Sequence, residues 1–329
     1  MKSNTAENAK LQYEAAQTLV AMAVLTDSGD QTIFSGSASP WSAKRGYETK
    51  VRPNGLATGG VIIPTSAQND KVDIAALTCN LAGVITSVGA AAATAVTRPA
   101  TNVSKVNSIT VDSTGAIAVI AGTDGTTQAF SESRGVAGSA PLIPVGSIEV
   151  GQVRLITSAP AVVVATEIFQ VPGTHQERYD YPVWDESLVD GKVTFATALP
   201  KIHTGVLPKK VYAEFYTPVF ADIDLASDFV APENSHSVSS TQIYGKTLGK
   251  SSSSLGQGKF TAYLKDGVTD ALISLKDATL WFKFFPDRYL APHLLTQGKL
   301  GVSRTFPAAD NMQAACTISA DTAAKEMAA

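Results

Sequence analysis

Apolar and polar residues alternate along much of this chain. From Lys259 to Lys265, the side chains of Phe260, Ala262 and Leu264 fall on one side, and those of Lys259, Thr261, Tyr263 and Lys265 on the other. That is the spacing of a strand with one buried face. Val211–Thr217 and Ala278–Phe285 follow the same rule, and together the three predict an antiparallel sheet. Val106–Val111 and Ala116–Ala121 flank the turn residues Asp112-Ser113-Thr114-Gly115. They predict a hairpin with Ile117, Val119 and Ala121 on one face. Ser147–Ile156 and Ala161–Phe169 predict two further strands, and Ala21–Leu25 with Gln31–Ser35, around Thr26–Asp30, reads as strand, turn, strand. One segment departs from the period of two. Over Ala6–Leu19, Leu11, Ala15 and Leu19 recur at helical spacing, with Asn4 and Glu7 placed to cap. The expected class is mainly β: an antiparallel sandwich or half-barrel, a second small all-β domain, and one short helix near the N-terminus.

Composition divides the chain into three. Residues 1–52 predict the helix, the hairpin and a charged, aromatic arm or linker from Pro40 to Arg52. Residues 53–173 are rich in small and β-branched residues and repeated turn chemistry, with Phe130 and Phe169 their only aromatics, and predict a β-domain of their own. Residues 174–329 restore the aromatics. Within them Asp222–Gly258 is rich in Ser, Gly, Asn and Pro, and only Gln242–Leu248 resembles a strand. A loop this long in a compact domain is either functional or a mobile excursion. Its Asp222, Asp224, Asp228, Tyr244, Leu248, Ser251 and Ser254 are the candidates for contact with a neighbouring subunit.

Lys and Arg number 26 against 29 Asp and Glu, a net charge of -3, so no basic face is implied for gripping nucleic acid. Cys79 and Cys316 are the only cysteines; their spacing suits neither a zinc site nor a disulfide framework, and both read as buried thiols. Met1–Lys10 is polar and carries Glu7, unlike a secretion signal. Val84–Thr97 is too short and too polar to span a bilayer. These features predict a soluble chain folded in a cytoplasm, with no membrane insertion.

Catalytic and cofactor motifs fail one by one. Gly245–Ser251 imitates a phosphate-binding loop with one residue too few between its glycines, and Asp222-Ile223-Asp224 opens like a calcium loop but has Ala226 where an oxygen ligand belongs. His175, His203, His236 and His293 share no ligand spacing, and no Gly-x-Ser-x-Gly elbow exists. The expectation is no enzyme, no metal and no cofactor. Asp180, Asp185, Glu186 and Asp190 cluster around Tyr179, Tyr181 and Trp184 and read as a charged rim on a hydrophobic anchor. Were subunits to close into a ring, some of these carboxylates would line its hole and repel a polyanion, letting it slide.

The segments Thr174–Trp184, Phe260–Leu264, Leu280–Tyr289 and Gly298–Phe306 resemble the tail tube proteins of long, flexible-tailed, siphovirus-like bacteriophages. The likeness is one of pattern and covers about half of the chain. Asn54–Gly60, Gln68–Ala75, Ser108–Gly122 and Pro141–Val150 are similar to the small β-domains of phage tail and fibre proteins. The resemblance implies a virion protein made in the host cytoplasm, with residues 53–173 as an outer β-domain on the tube and residues 174–329 as the tube wall, which residues 1–52 join unless they go instead with the outer domain. Its subunits join their sheets into rings, commonly of six, and stack into a hollow conduit with other tail proteins. Double-stranded DNA then passes through without specific contact. The rival reading is a fibre, decoration or adhesin-type module that recognises a host surface.

Overall fold

A computed structural model describes residues 6–179, 183–187, 190–205 and 210–328, with the side chains of Glu186 and Ser187 excepted. The chain is mainly β, built of several antiparallel sheets. It forms two compact units: Met1–Leu19, Pro40–Glu48 and Phe215–Ala329 make the first, and Val20–Ser39 with Thr49–Glu214 the second. The break expected after Gly173 thus lies inside the second unit.

The first unit is an antiparallel sheet in the order Ala226–Val230, Gly258–Tyr263, Gln313–Ser319, His293–Thr305, Thr279–Phe285, then the start of Lys10–Val24; Lys325–Met327 also pairs with His293–Thr305. The register sets Tyr13 opposite Phe282, Leu280 opposite Gly298, Leu300 opposite Ile318, and Cys316 opposite Phe260. Because side chains alternate along each strand, this register places Leu11, Tyr13, Leu280, Phe282, Leu300, Cys316, Ile318 and Phe260 in one core cluster, which Leu272 joins. Gly298 is a glycine because an added Cβ would stand 2.6 Å from the Ile318 side chain and 2.7 Å from the Ser319 carbonyl oxygen.

On the opposite face, Pro40–Glu48 packs against Lys10–Val24 and Thr279–Phe285. Trp41 is fully buried, stacks on Phe215 with ring centroids 4.2 Å apart, and accepts the Trp281 indole N–H at its carbonyl oxygen, 2.7 Å away. The buried carboxylate of Glu14 takes hydrogen bonds from the Ser42 hydroxyl, from Gln17 Nε2 at 2.9 Å and from the Trp281 backbone N–H at 3.1 Å. Pro40–Glu48 is therefore core structure rather than a linker.

In the second unit, three sheets enclose one core. They are Ile117–Ala121, Lys105–Val111, Ile148–Leu155 and Ile168–Phe169; Gly55–Gly59, Leu77–Leu81 and Val84–Val88; and Ala91–Ala95, Lys71–Ile74 and Ile62–Pro64. Ile109, Val111, Ile148, Val150 and Val153 from the first meet Leu56, Leu77 and Cys79 from the second and Ile62, Val72 and Ile74 from the third. A further sheet orders Trp184–Ser187, Lys192–Phe195, Ile33–Ser35 and Thr26–Asp27. The turn before Ile33 is held by side chains: Asp27 Oδ1 accepts the backbone N–H groups of Gly29 and Gln31, each at 3.0 Å.

Most strands expected from alternation are present, but three expectations are corrected. Ala6–Leu19 is not a helix: Lys10–Val24 is a strand, with Leu11 and Tyr13 buried at the period of two while Leu19 is half exposed. Pairing with Thr279–Phe285 outweighs the local helical spacing. The α-helical turn is instead Ala271–Ser274, far from the N-terminus. Ala161–Phe169 is mostly irregular, with a 3-10 turn at Ala165–Glu167 before the short strand Ile168–Phe169. Finally, Asp222–Gly258 is no loop.

Candidate functional site

Two strands of ten residues, Asn234–Ile243 and Lys246–Leu255, form a sheet of their own. Their register runs unbroken from Asn234 opposite Leu255 to Ile243 opposite Lys246. Tyr244-Gly245 closes the hairpin, and Gly245 takes φ +74°, a conformation that strains any residue with a Cβ. At about 3.4 Å per residue the arm is about 34 Å long.

Asn234 to Ser254 are all exposed. Hydroxyl pairs tie the strands, Ser235 to Ser254 at 2.9 Å and Ser237 to Ser252 at 2.7 Å. Apolar side chains stand in water: Val238 is 78% exposed, Leu248 58%, and Tyr244 completely. An isolated two-stranded hairpin is marginal in water. Its unpaired outer edges and bare apolar side chains are templates for another chain.

The expected contact residues are spread along this arm and its root. Tyr244 and Leu248 lie at or near the tip, Ser251 pairs across from Val238, and Ser254 sits near the root beside Ser235. Asp222, Asp224 and Asp228 belong to the root. Asp222 pairs with Lys10 at 3.2 Å and accepts from Gln12 Nε2 at 2.7 Å, which holds its carboxyl below the usual range. Asp224 stands 3.6 Å from Lys265, and Asp228 accepts from the Ser227 hydroxyl at 2.8 Å. The acidic rim is less concentrated than its sequence spacing suggests. Asp185 lies on a strand opposite Thr194, Asp190 pairs with Lys192 at 3.4 Å, and both belong to the second unit. Glu186 pairs along the backbone with Val193, its side chain lies outside the described residues, and so does all of Asp180.

A buried charge network in the second unit had no counterpart among the sequence motifs. The Glu149 carboxylate receives both Arg134 guanidinium nitrogens and the Ser108 hydroxyl, the latter at 2.6 Å. Glu177 faces Lys210 Nζ at 3.1 Å and accepts the Glu149 backbone N–H at 3.1 Å. Lys210 also donates to the Pro200 carbonyl oxygen at 2.6 Å. His203 lies 2.8 Å from the Ser147 carbonyl oxygen through Nε2, which must therefore donate, and 3.8 Å from Glu177. Burial pushes the Glu149 carboxyl up while Arg134 pulls it back, and burial pushes the His203 imidazole down. Two carboxylates, two cations and a neutral ring balance, and this closed arrangement suits holding the fold. The sequence signal was Glu149 and Gln152 between the apolar residues of the strand Ile148–Leu155, which also carries Arg154.

An acid dependence follows from His203. Its folded pKa lies below the unfolded value of about 6.5, so the unfolded chain binds more protons between the two. Its contribution to stability is complete above about pH 6.5 and is lost as pH falls towards the folded pKa. Urea midpoints measured from pH 7.5 to 5.5 are expected to fall less steeply in His203→Gln than in the parent. Equal slopes would show that the imidazole does not titrate on unfolding.

Among the described residues no group of three His, Cys, Asp or Glu side chains is placed to hold a metal ion, and no helix is long and apolar enough to cross a membrane. Cys79 and Cys316 are free and buried, their thiols pushed up to about 11 and about 12 by desolvation. Comparison with protein-family models, curated proteins and solved structures gives no match.

Proposed function

We propose that this chain is a structural virion protein, a tail tube subunit that polymerises into stacked rings, of six by the resemblance noted above, and so forms the conduit for phage DNA. The observation that carries the reading is the arm. Ten residue pairs project with no buried face, an arrangement that gains stability only when a second chain covers it. Repetition of one subunit supplies that cover at every position, and ring closure removes the free edges of the sheets. With a net charge of -3 over the whole chain, such a conduit would let DNA slide rather than hold it.

The fibre or adhesin reading needs exposed rings within residues 53–173 as a platform. Phe130 and Phe169 are occupied instead: they flank the Arg154 guanidinium at 5.6 and 4.7 Å from their ring centroids.

The test is negative-stain electron microscopy with light scattering, from dilute to concentrated protein. Rings or hollow tubes are expected. A variant in which a short glycine-containing turn replaces Asn234–Leu255 should keep the parent's circular dichroism and form no long tubes. Monodisperse monomers or trimers of the parent at every concentration would overturn the conduit reading in favour of the fibre or decoration reading.

A further inference from the structure

The first unit carries two adjoining clefts of about 350 and 560 Å³, which share the lip Asp222-Ile223-Asp224. They lie at the root of the arm, whose first supporting strand is Ala226–Val230. Six carboxylates and three cations line them. Lys10 and Lys265 are already paired with Asp222 and Asp224. Asp266, held down to about 2 by hydrogen bonds from Thr269 and Val268, stays ionised at every working pH. Tyr13, Leu264, Phe229 and Phe284 give the walls apolar area beside the charge.

The far end of the arm has the opposite character. No Asp or Glu occurs from Asn234 to Leu255. The pairing sets Ile243, Lys246, Leu248 and Lys250 on one face, behind the bare ring of Tyr244. We propose that the outer half of one subunit's arm, Tyr244 with Lys246 and Lys250, lodges in the root clefts of a second copy of this chain. The inference rests on the tube reading and adds the socket to it. Charge complementarity selects the pairing, and arm length selects the donor. With its ten pairs formed, a tip about 34 Å from its root does not reach the clefts beside that root. The contact therefore runs head to tail, leaving each bound subunit with a free arm or a free socket, so it repeats and propagates.

Charge reversal in the full chain tests this. Lys246→Glu with Lys250→Glu reverses the arm. Glu7→Lys with Asp224→Lys reverses the socket at exposed positions that anchor no turn of the fold. Each pair is expected to raise the concentration needed for assembly at least tenfold with circular dichroism unchanged. Mixing the two variants presents negative arms to positive sockets and positive arms to negative sockets, and should restore assembly; the chain carrying all four changes should assemble alone. Benzoylphenylalanine in place of Tyr244 should crosslink to residues 222–229 or 262–272 of another copy. If the parent forms tubes that the arm reversal leaves unaffected, or the crosslinks map elsewhere, the socket is wrong and the tube reading stands. If the parent never assembles and never crosslinks, both fall.

Discussion

Trp41→Ala is expected to destabilise the first unit by about 3–5 kcal/mol, the range for removing a large aromatic from a packed core. Globular domains have roughly 5–15 kcal/mol in total, so the loss is a large fraction of the whole. The indole is fully buried and stacked on Phe215, and its removal leaves a cavity in a segment that also supplies Ser42 to the Glu14 carboxylate. Collapse into that cavity would pull the Trp41 carbonyl oxygen off the Trp281 indole. Trp41→Phe keeps a ring against Phe215 and should lose less than half as much. Urea unfolding followed by circular dichroism separates the two, and a midpoint unchanged in Trp41→Ala would show that Pro40–Glu48 is not part of the cooperative core.

The second large effect belongs to Lys210. Its side chain is 1% exposed and faces Glu177, 2% exposed, at 3.1 Å. Lys210→Ala leaves the Glu177 carboxylate and the Pro200 carbonyl oxygen without their cation, and breaking a buried pair in this way costs about 3–5 kcal/mol. The comparison with Lys210→Met plus Glu177→Gln distinguishes a charge effect from a packing effect. The double change removes both charges, fills the space of the lysine stem and keeps an acceptor for the Glu149 backbone N–H. It is expected to return to within about 1–2 kcal/mol of the parent. A double variant as unstable as Lys210→Ala would place the loss in packing.

Strands that bury one face announce themselves. Gly258–Tyr263, Thr279–Phe285 and the Lys105–Val111 hairpin were legible because each core residue alternates with an exposed or differently packed one. The arm buries neither face, so nothing selects alternation, and its serines read as a loop. Its unusual composition was legible; its shape was not. Lys10–Val24 was misread because the strand that decides its register lies at the other end of the chain. The division after residue 173 follows a real change in composition, yet backbone pairings decide membership. Glu177 donates to Glu149 at 2.9 Å and accepts from Leu56, while Ile143 and Thr204 bond across to Ile202 and Ile143, each at 2.9 Å. Trp41 and Lys210 are single residues in polar surroundings, where no periodicity marks burial.

The pairing of Lys10–Val24 also fixes an order of events during synthesis. Lys10 finds its partner in Phe285 and Tyr13 in Phe282, so the partner strand leaves the ribosome about 270 residues after the first; at about 5–20 residues per second that is roughly 15–50 s. Throughout this interval the nascent chain trails an extended segment whose Leu11 and Tyr13 have nowhere native to go. Shielding by a ribosome-bound chaperone would matter most in that window, and a slower ribosome would lengthen the hazard.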